Sequence, residues 1–145
     1  MLFRSEKRGR VLIQTRNPQH YCWQYIRENN YQGFYEQELE LRRRFSYPPF
    51  TCLGLIRMSC PVQSGKGERS FARFQQAVRL ESTSGLRLLG PVPSPLAMLG
   101  GRLRYQCLVK AQNWQDIRRV YARVRRFCTD KDIRLSFDPD PLSML

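Results

Sequence analysis

A chain of 145 residues with 41% hydrophobic and 12% aromatic content is long enough for one ordinary domain plus an appendage, and it can pack a core, which excludes wholesale disorder. Its 25 basic residues against 12 acidic ones give a net charge of +13, and 21 of the basic residues are arginine, whose planar fork of donors pairs with phosphate oxygens and stacks on bases. Such an excess points to a polyanion, most simply DNA or RNA, bound through counterion release; scattered charge on a soluble protein is the bland alternative.

In chain order, Val11-Leu12-Ile13 is a short apolar run that reads as a buried strand after a basic leader. Asn17-Pro18 combines a capping side chain with proline at the first helical position, so a short helix is expected to about Glu28, where Asn29-Asn30 breaks it. The segment YQGFYEQELELRRR places Tyr31, Phe34, Tyr35 and Leu39 at helical spacing. Its acids come first and its arginines last, complementing the helix dipole, and Glu38/Arg42 and Glu40/Arg44 fall at i,i+4. Arg42, Arg43 and Arg44 either touch phosphate or form a solvated helix end. Tyr47-Pro48-Pro49-Phe50 must leave the helix, because residues before proline avoid the helical region; a main domain begins there.

Beyond that point the periods alternate. Thr51 to Ser59 reads as a strand and Glu68 to Glu81 as a helix with Phe71, Phe74 and Val78 on one face. Leu86 to Leu89 is a short strand. The prolines of GPVPSP fix an extended backbone across the end of the sheet, and Gly100-Gly101 permits a tight reversal. Arg102 to Lys110 has period two, Asn113 to Thr129 is helical, and Ile133 to Phe137 is a last strand with Ile133, Leu135 and Phe137 facing one way. The order is β-α-β-β-α-β, the split βαβ arrangement of ferredoxin-like domains, an α+β sandwich with helices on one sheet face and an N-terminal strand and helical appendage.

Catalytic and metal signals fail on inspection. Ser64-Gly65-Lys66-Gly67 lacks the early glycine of a phosphate loop (Cys60 stands there) and the magnesium-binding hydroxyl after the lysine (Gly67 stands there), so a flexible loop before a helix is expected. His20 is the single histidine, which excludes a triad and a multi-histidine metal site. Cys22, Cys52, Cys60, Cys107 and Cys128 contain no CxxC pair; no zinc site is expected, and most read as small core hydrophobes in a reducing, cytoplasmic compartment. Asp138-Pro139-Asp140-Pro141 offers paired carboxylates, but without a third acid nearby it reads as a strand-ending turn. No stretch approaches the roughly 18 apolar residues of a membrane span, and no signal-peptide region follows Met1.

The binding signals are stronger. Arg102, Arg104, Gln106 and Lys110 share one side of their strand, interrupted by Leu108, while Leu103, Tyr105, Cys107 and Val109 share the other. The apolar side is expected to pack on the helices and the basic side to face solvent or a partner. In the last helix Trp114, Ile117, Val120, Tyr121, Val124 and Phe127 form an apolar stripe, opened by Asn113 and Asp116 at capping spacing. Arg118, Arg119, Arg123, Arg125 and Arg126 cover the remainder, either as a site for an anion or as a solvated face.

RVLIQTRNPQH, YQGFYEQELELRRRFSYPPFT, LLGPVPSPLAMLGGRLRYQCLVK and IRLSFDPDP, in that order, resemble the PriA family of bacterial replication-restart helicases, from about Gly9 to Pro141. The resemblance implies a C-terminal piece: residues 1–15 as the last strand of the second helicase lobe, 16–47 as a helical connector, and 48–145 as an α+β domain similar to a small ribosomal protein. It implies forked or single-stranded DNA, the acidic tail of single-stranded DNA-binding protein and primosome proteins as partners. The family's matching residues are clearest at Gly90-Pro91-Val92-Pro93, Gly100-Gly101-Arg102, Arg104 and Gln106. Its tail-binding polar residues lie near the start of the last helix, where Arg118 and Arg119, with Trp114, are the candidates here. Pro139 departs from the family, which has an aliphatic residue between the two aspartates. ATP, magnesium and zinc belong to parts of the family not matched by this chain, so no cofactor and no ATP hydrolysis are expected of it alone. Two alternatives remain from other classes: an acidic-peptide-binding interaction module and a ribosomal-protein-like RNA-binding domain.

Overall fold

The computed structural model describes residues 11–62, 66–80 and 85–143. The chain divides into two compact units, one ending at Leu39 and the other beginning at Glu40.

The first unit is built on helix α1 (Cys22–Arg27) and most of helix α2 (Tyr31–Arg44). α2 starts where expected: Asn30 Oδ1 accepts from the Gly33 backbone N–H at 2.9 Å, a side-chain cap over an otherwise orphan donor. α1 starts later than Asn17-Pro18 suggests. The Asn17 carbonyl accepts from the His20 N–H and from the Trp23 indole, and residues 17–21 make turns rather than a helix. Tyr21, Tyr25 and Phe34 join the two helices, with Tyr21 and Phe34 stacked at 6.2 Å and Tyr25 edge-on to Phe34. The Tyr21 hydroxyl donates to Glu38. The expected strand at Val11-Leu12-Ile13 is not formed. These residues are 84%, 90% and 50% exposed, because no strand among the described residues offers them a ladder partner.

The second unit carries strand β1 (Cys52–Pro61), helix α3 (Lys66–Arg79), strand β2 (Arg87–Leu99), strand β3 (Arg102–Ala111), helix α4 (Trp114–Phe127) and strand β4 (Arg134–Pro139). The sheet order is β2-β3-β1-β4, every pairing antiparallel, as the β-α-β-β-α-β reading requires. Between β1 and β3 the ladder runs unbroken from Cys52↔Ala111 to Pro61↔Arg102. Of the phosphate-loop look-alike Ser64-Gly65-Lys66-Gly67, residues 64 and 65 lie outside the described residues, and Lys66 and Gly67 begin α3.

α3 and α4 cover one sheet face. Phe74, Ala77 and Val78 from α3 and Ile117, Val120 and Val124 from α4 bury against Ile56, Met58, Cys107, Val109 and Ala111. Phe71 stacks on Tyr105 at 4.3 Å. α4 follows the expected stripe and its expected cap, with Asn113 Oδ1 accepting from the Asp116 N–H at 3.0 Å. Gly54 lies under α4: a Cβ there would come within 2.7 Å of Ile117 and Phe137, so the close helix approach depends on the missing side chain.

β2 is the largest departure from expectation. It does not stop at Leu89 but runs thirteen residues through Pro91, Pro93 and Pro95. Proline gives no ladder donor and belongs on an edge, and β2 is an edge strand. Its register shifts twice, between Leu89 and Val92 and between Pro93 and Met98, so the prolines fall where pairing with β3 is irregular. At Gly90 (φ +115°) a Cβ would stand 2.7 Å from the Gln106 carbonyl, which makes glycine obligatory there. Gly100 and Gly101, at φ +55° and +69°, close the β2–β3 hairpin between Leu99 and its partner Arg102, the doubly left-handed geometry of a two-residue turn.

Candidate nucleic-acid interface

Side chains alternate across a strand, so the residues between those of the helix-covered core point to the sheet's other face, termed helix-free because neither α3 nor α4 covers it. Leu53, Leu55 and Leu108 form a separate buried cluster there. The registers order this face into cross-strand rows. Arg104, Ser59 and Arg134 align across β3, β1 and β4; Val92, Gln106, Arg57 and Ser136 form the next row; Leu89, Leu108, Leu55 and Asp138 the one after. Leu99, Arg102 and Pro61 lie beyond the first row, toward the hairpin.

Four arginines therefore meet on one surface. Arg57, Ser59, Arg104, Arg134 and Ser136 line a depression of about 140 Å³ there. Arg57 is held by Asp138 at 3.0 Å and also donates to the Ser143 carbonyl. Arg102 donates to the Ser59 carbonyl and hydroxyl and to the Asp132 carbonyl, which fixes its guanidinium at the sheet end. Arg104 and Arg134 have no acidic partner among the described residues. With strands about 4.8 Å apart, their backbones stand roughly 10 Å apart across Ser59. Two uncompensated guanidinium groups beside hydroxyls are the donor set that phosphate oxygens match.

The other expected residues go to different places. Gln106 and Lys110 lie on the same side of β3 as Arg102 and Arg104, but they are 6% exposed and do not face solvent as the strand's period suggested. The Lys110 ammonium donates to the Phe45 carbonyl at 3.0 Å and sits 3.4 Å above the Tyr47 ring, because the chain entering β1 crosses this end of the face. Gln106 Oε1 meets no donor among the described residues. Arg42 donates to the Pro48 carbonyl, and the Arg43 and Arg44 guanidiniums lie over the Phe50 and Phe45 rings. On α4, Arg118 and Arg119 are exposed, with Arg119 paired to Asp116 at 3.2 Å, and Trp114 is half-buried against the core.

Arg57 and Arg134 were missing from the sequence-based set. Their signal was the same parity that exposed the β3 face: Arg134 and Ser136 alternate with Leu135 and Phe137, and Arg57 and Ser59 with Ile56, Met58 and Cys60. Asp138 pairs with Arg57, and Asp140 (φ +46°) donates its N–H to the Leu53 carbonyl, so the two aspartates act in ending β4. The buried thiols carry no nucleophile: burial pushes Cys107 up to about 12 and Cys128 to about 11. Burial likewise raises Cys60, with Arg102 opposing. A cleft of about 350 Å³ in the first unit is lined by Tyr25, Ile26, Tyr31, Phe34 and neighbours without a charged group. No helix among the described residues is long and apolar enough to cross a membrane.

A four-stranded antiparallel sheet with two helices on one face and arginines on the other defines an α+β domain of the split βαβ class. Residues 43–142 match the family described as the Primosomal protein N C-terminal domain, and the chain belongs to that family. It is 30% identical over 146 residues to the replication restart protein PriA of Bacillus subtilis, 33% over 145 residues to that of Synechocystis and 29% over 140 residues to that of Haemophilus influenzae. These alignments cover 98%, 97% and 95% of this chain but 18%, 17% and 19% of the relatives, so the chain spans less than a fifth of their length. Among solved structures, the de novo designed protein Foldit4 superposes with a TM-score of 0.47 at 15% identity, over 61% of this chain and 94% of that one.

Proposed function

We propose that this domain holds the phosphate backbone of DNA for a replication-restart protein, through the arginine row on its helix-free sheet face. Arg104 and Arg134 contact phosphates, and Arg57 and Arg102, fixed by Asp138, Ser59 and Asp132, frame the site. The observation that carries this reading is the convergence of four arginines from three strands on the sheet face away from α3 and α4, in a chain of charge +13. Its similarity to replication restart proteins supports replication restart as the setting. Fluorescence anisotropy with labelled forked and single-stranded DNA at low and moderate salt tests it. Arg104→Glu with Arg134→Glu is expected to weaken binding by tenfold or more, while Arg118→Glu with Arg119→Glu has a much smaller effect. Equal losses from the two pairs would move the site to α4, and a preference for double-stranded RNA would favour the ribosomal-protein-like reading.

A second reading draws on exposed Arg118 beside half-buried Trp114 at the start of α4: a cation next to an aromatic surface suits an acidic peptide, such as the tail of single-stranded DNA-binding protein. Titration with that tail peptide, and its loss in Arg118→Glu, is the discriminating measurement. Saturable binding independent of Arg104 and Arg134 would establish it as a separate site.

A further inference from the structure

We infer that the helix-free face also carries a base-contacting strip, and that it selects unpaired nucleotides over duplex. This rests on the phosphate reading above. Leu89, Val92 and Leu99 are 53%, 48% and 57% exposed. Their register partners Leu108, Gln106 and Arg102 put all three on the helix-free side of β2, the edge strand beside the arginine row. Aliphatic side chains so exposed are unusual company for uncompensated arginines, and together they make a surface that is apolar along one edge and cationic at its centre.

A single strand of nucleic acid has the same division across its width. Its phosphates carry charge along one side, and its bases present apolar faces along the other. Phosphates seated over Arg104 and Arg134 place the bases of the same strand toward β2, against Leu89, Val92 and Leu99. A duplex hides those faces in its stack, so the strip gains nothing from it. Four-stranded sheets elsewhere receive single strands on one face, using aromatic rings as the stacking surface; here the surface is aliphatic.

The test compares a labelled deoxythymidine 20-mer, the same oligonucleotide made abasic, and a blunt 20-base-pair duplex, with the full chain and with the triple variant Leu89→Ser, Val92→Thr, Leu99→Ser, whose fold is checked by circular dichroism. The full chain is expected to bind the 20-mer at least five-fold more tightly than either the abasic strand or the duplex. The variant is expected to bind all three alike, with the dependence of affinity on salt unchanged. The abasic comparison is made on the unaltered chain, so it decides even if the variant does not fold. Equal binding of the normal and abasic strands, with a steep salt dependence, overturns the base strip while leaving the phosphate site standing. Absence of any salt-dependent binding overturns both. Self-association of the full chain that the triple variant abolishes overturns the inference by assigning the strip to a second copy.

Discussion

Lys110 takes its charge out of solvent and spends it locally. At 6% exposure an ammonium needs partners, and it finds the Phe45 carbonyl and the Tyr47 ring. Lys110→Met keeps the buried stem and removes both contacts, so a loss of about 1–3 kcal/mol in urea-unfolding stability is expected. An unchanged midpoint would mean that the residues before β1 are held some other way. Strand period alone grouped Lys110 with Arg102 and Arg104, and the parity was right. Its burial was not legible, because the atoms that cover it come from Phe45 and Tyr47, more than sixty positions earlier. Arg134, by contrast, was legible: its neighbours Ile133, Leu135 and Phe137 already faced the core. Charge density does not mark it, because it is the one basic residue on a short strand.

At the scale of elements, β2 depends on a backbone no side chain permits. Gly90→Ala would drive a Cβ to 2.7 Å from the Gln106 carbonyl at φ +115°, and a cost of about 2 kcal/mol or more is expected in thermal or urea unfolding. A neutral Gly90→Ala would show that the register shift after Leu89 relaxes freely. The hairpin glycines and the Asn113 cap could be read directly, since each is a local device. The length of β2 could not. Three prolines argue against a strand unless its position in the sheet is known to be an edge, and sheet order is set by long-range pairing. The same limit applies at Val11-Leu12-Ile13, where an apolar run names a strand but cannot supply a partner.

For the whole molecule, the helix-covered core sets a pH limit. Cys107 and Cys128 stay protonated in the folded chain to about 12 and about 11, against 9.0 for an ordinary thiol. Below about pH 9 both states hold these protons and stability is full. Above it the unfolded chain sheds them while the folded chain keeps them, so stability falls with rising pH, by up to about 1.4 kcal/mol per unit per thiol. Urea midpoints under reducing conditions should drop between about pH 9 and pH 11, and drop less in Cys107→Ala with Cys128→Ala; an identical slope in that variant would assign the loss to other groups.

The charge distribution of the whole molecule is what the functional account stands on, and it is tested by the salt dependence of DNA binding. For a single-stranded oligonucleotide the slope of log affinity against log salt counts phosphates neutralised, about 0.7 per contact. Arg104→Gln with Arg134→Gln should flatten that slope by about 1.4 relative to the unaltered chain. A slope identical in the two proteins would contradict the placement of phosphates on the helix-free sheet face.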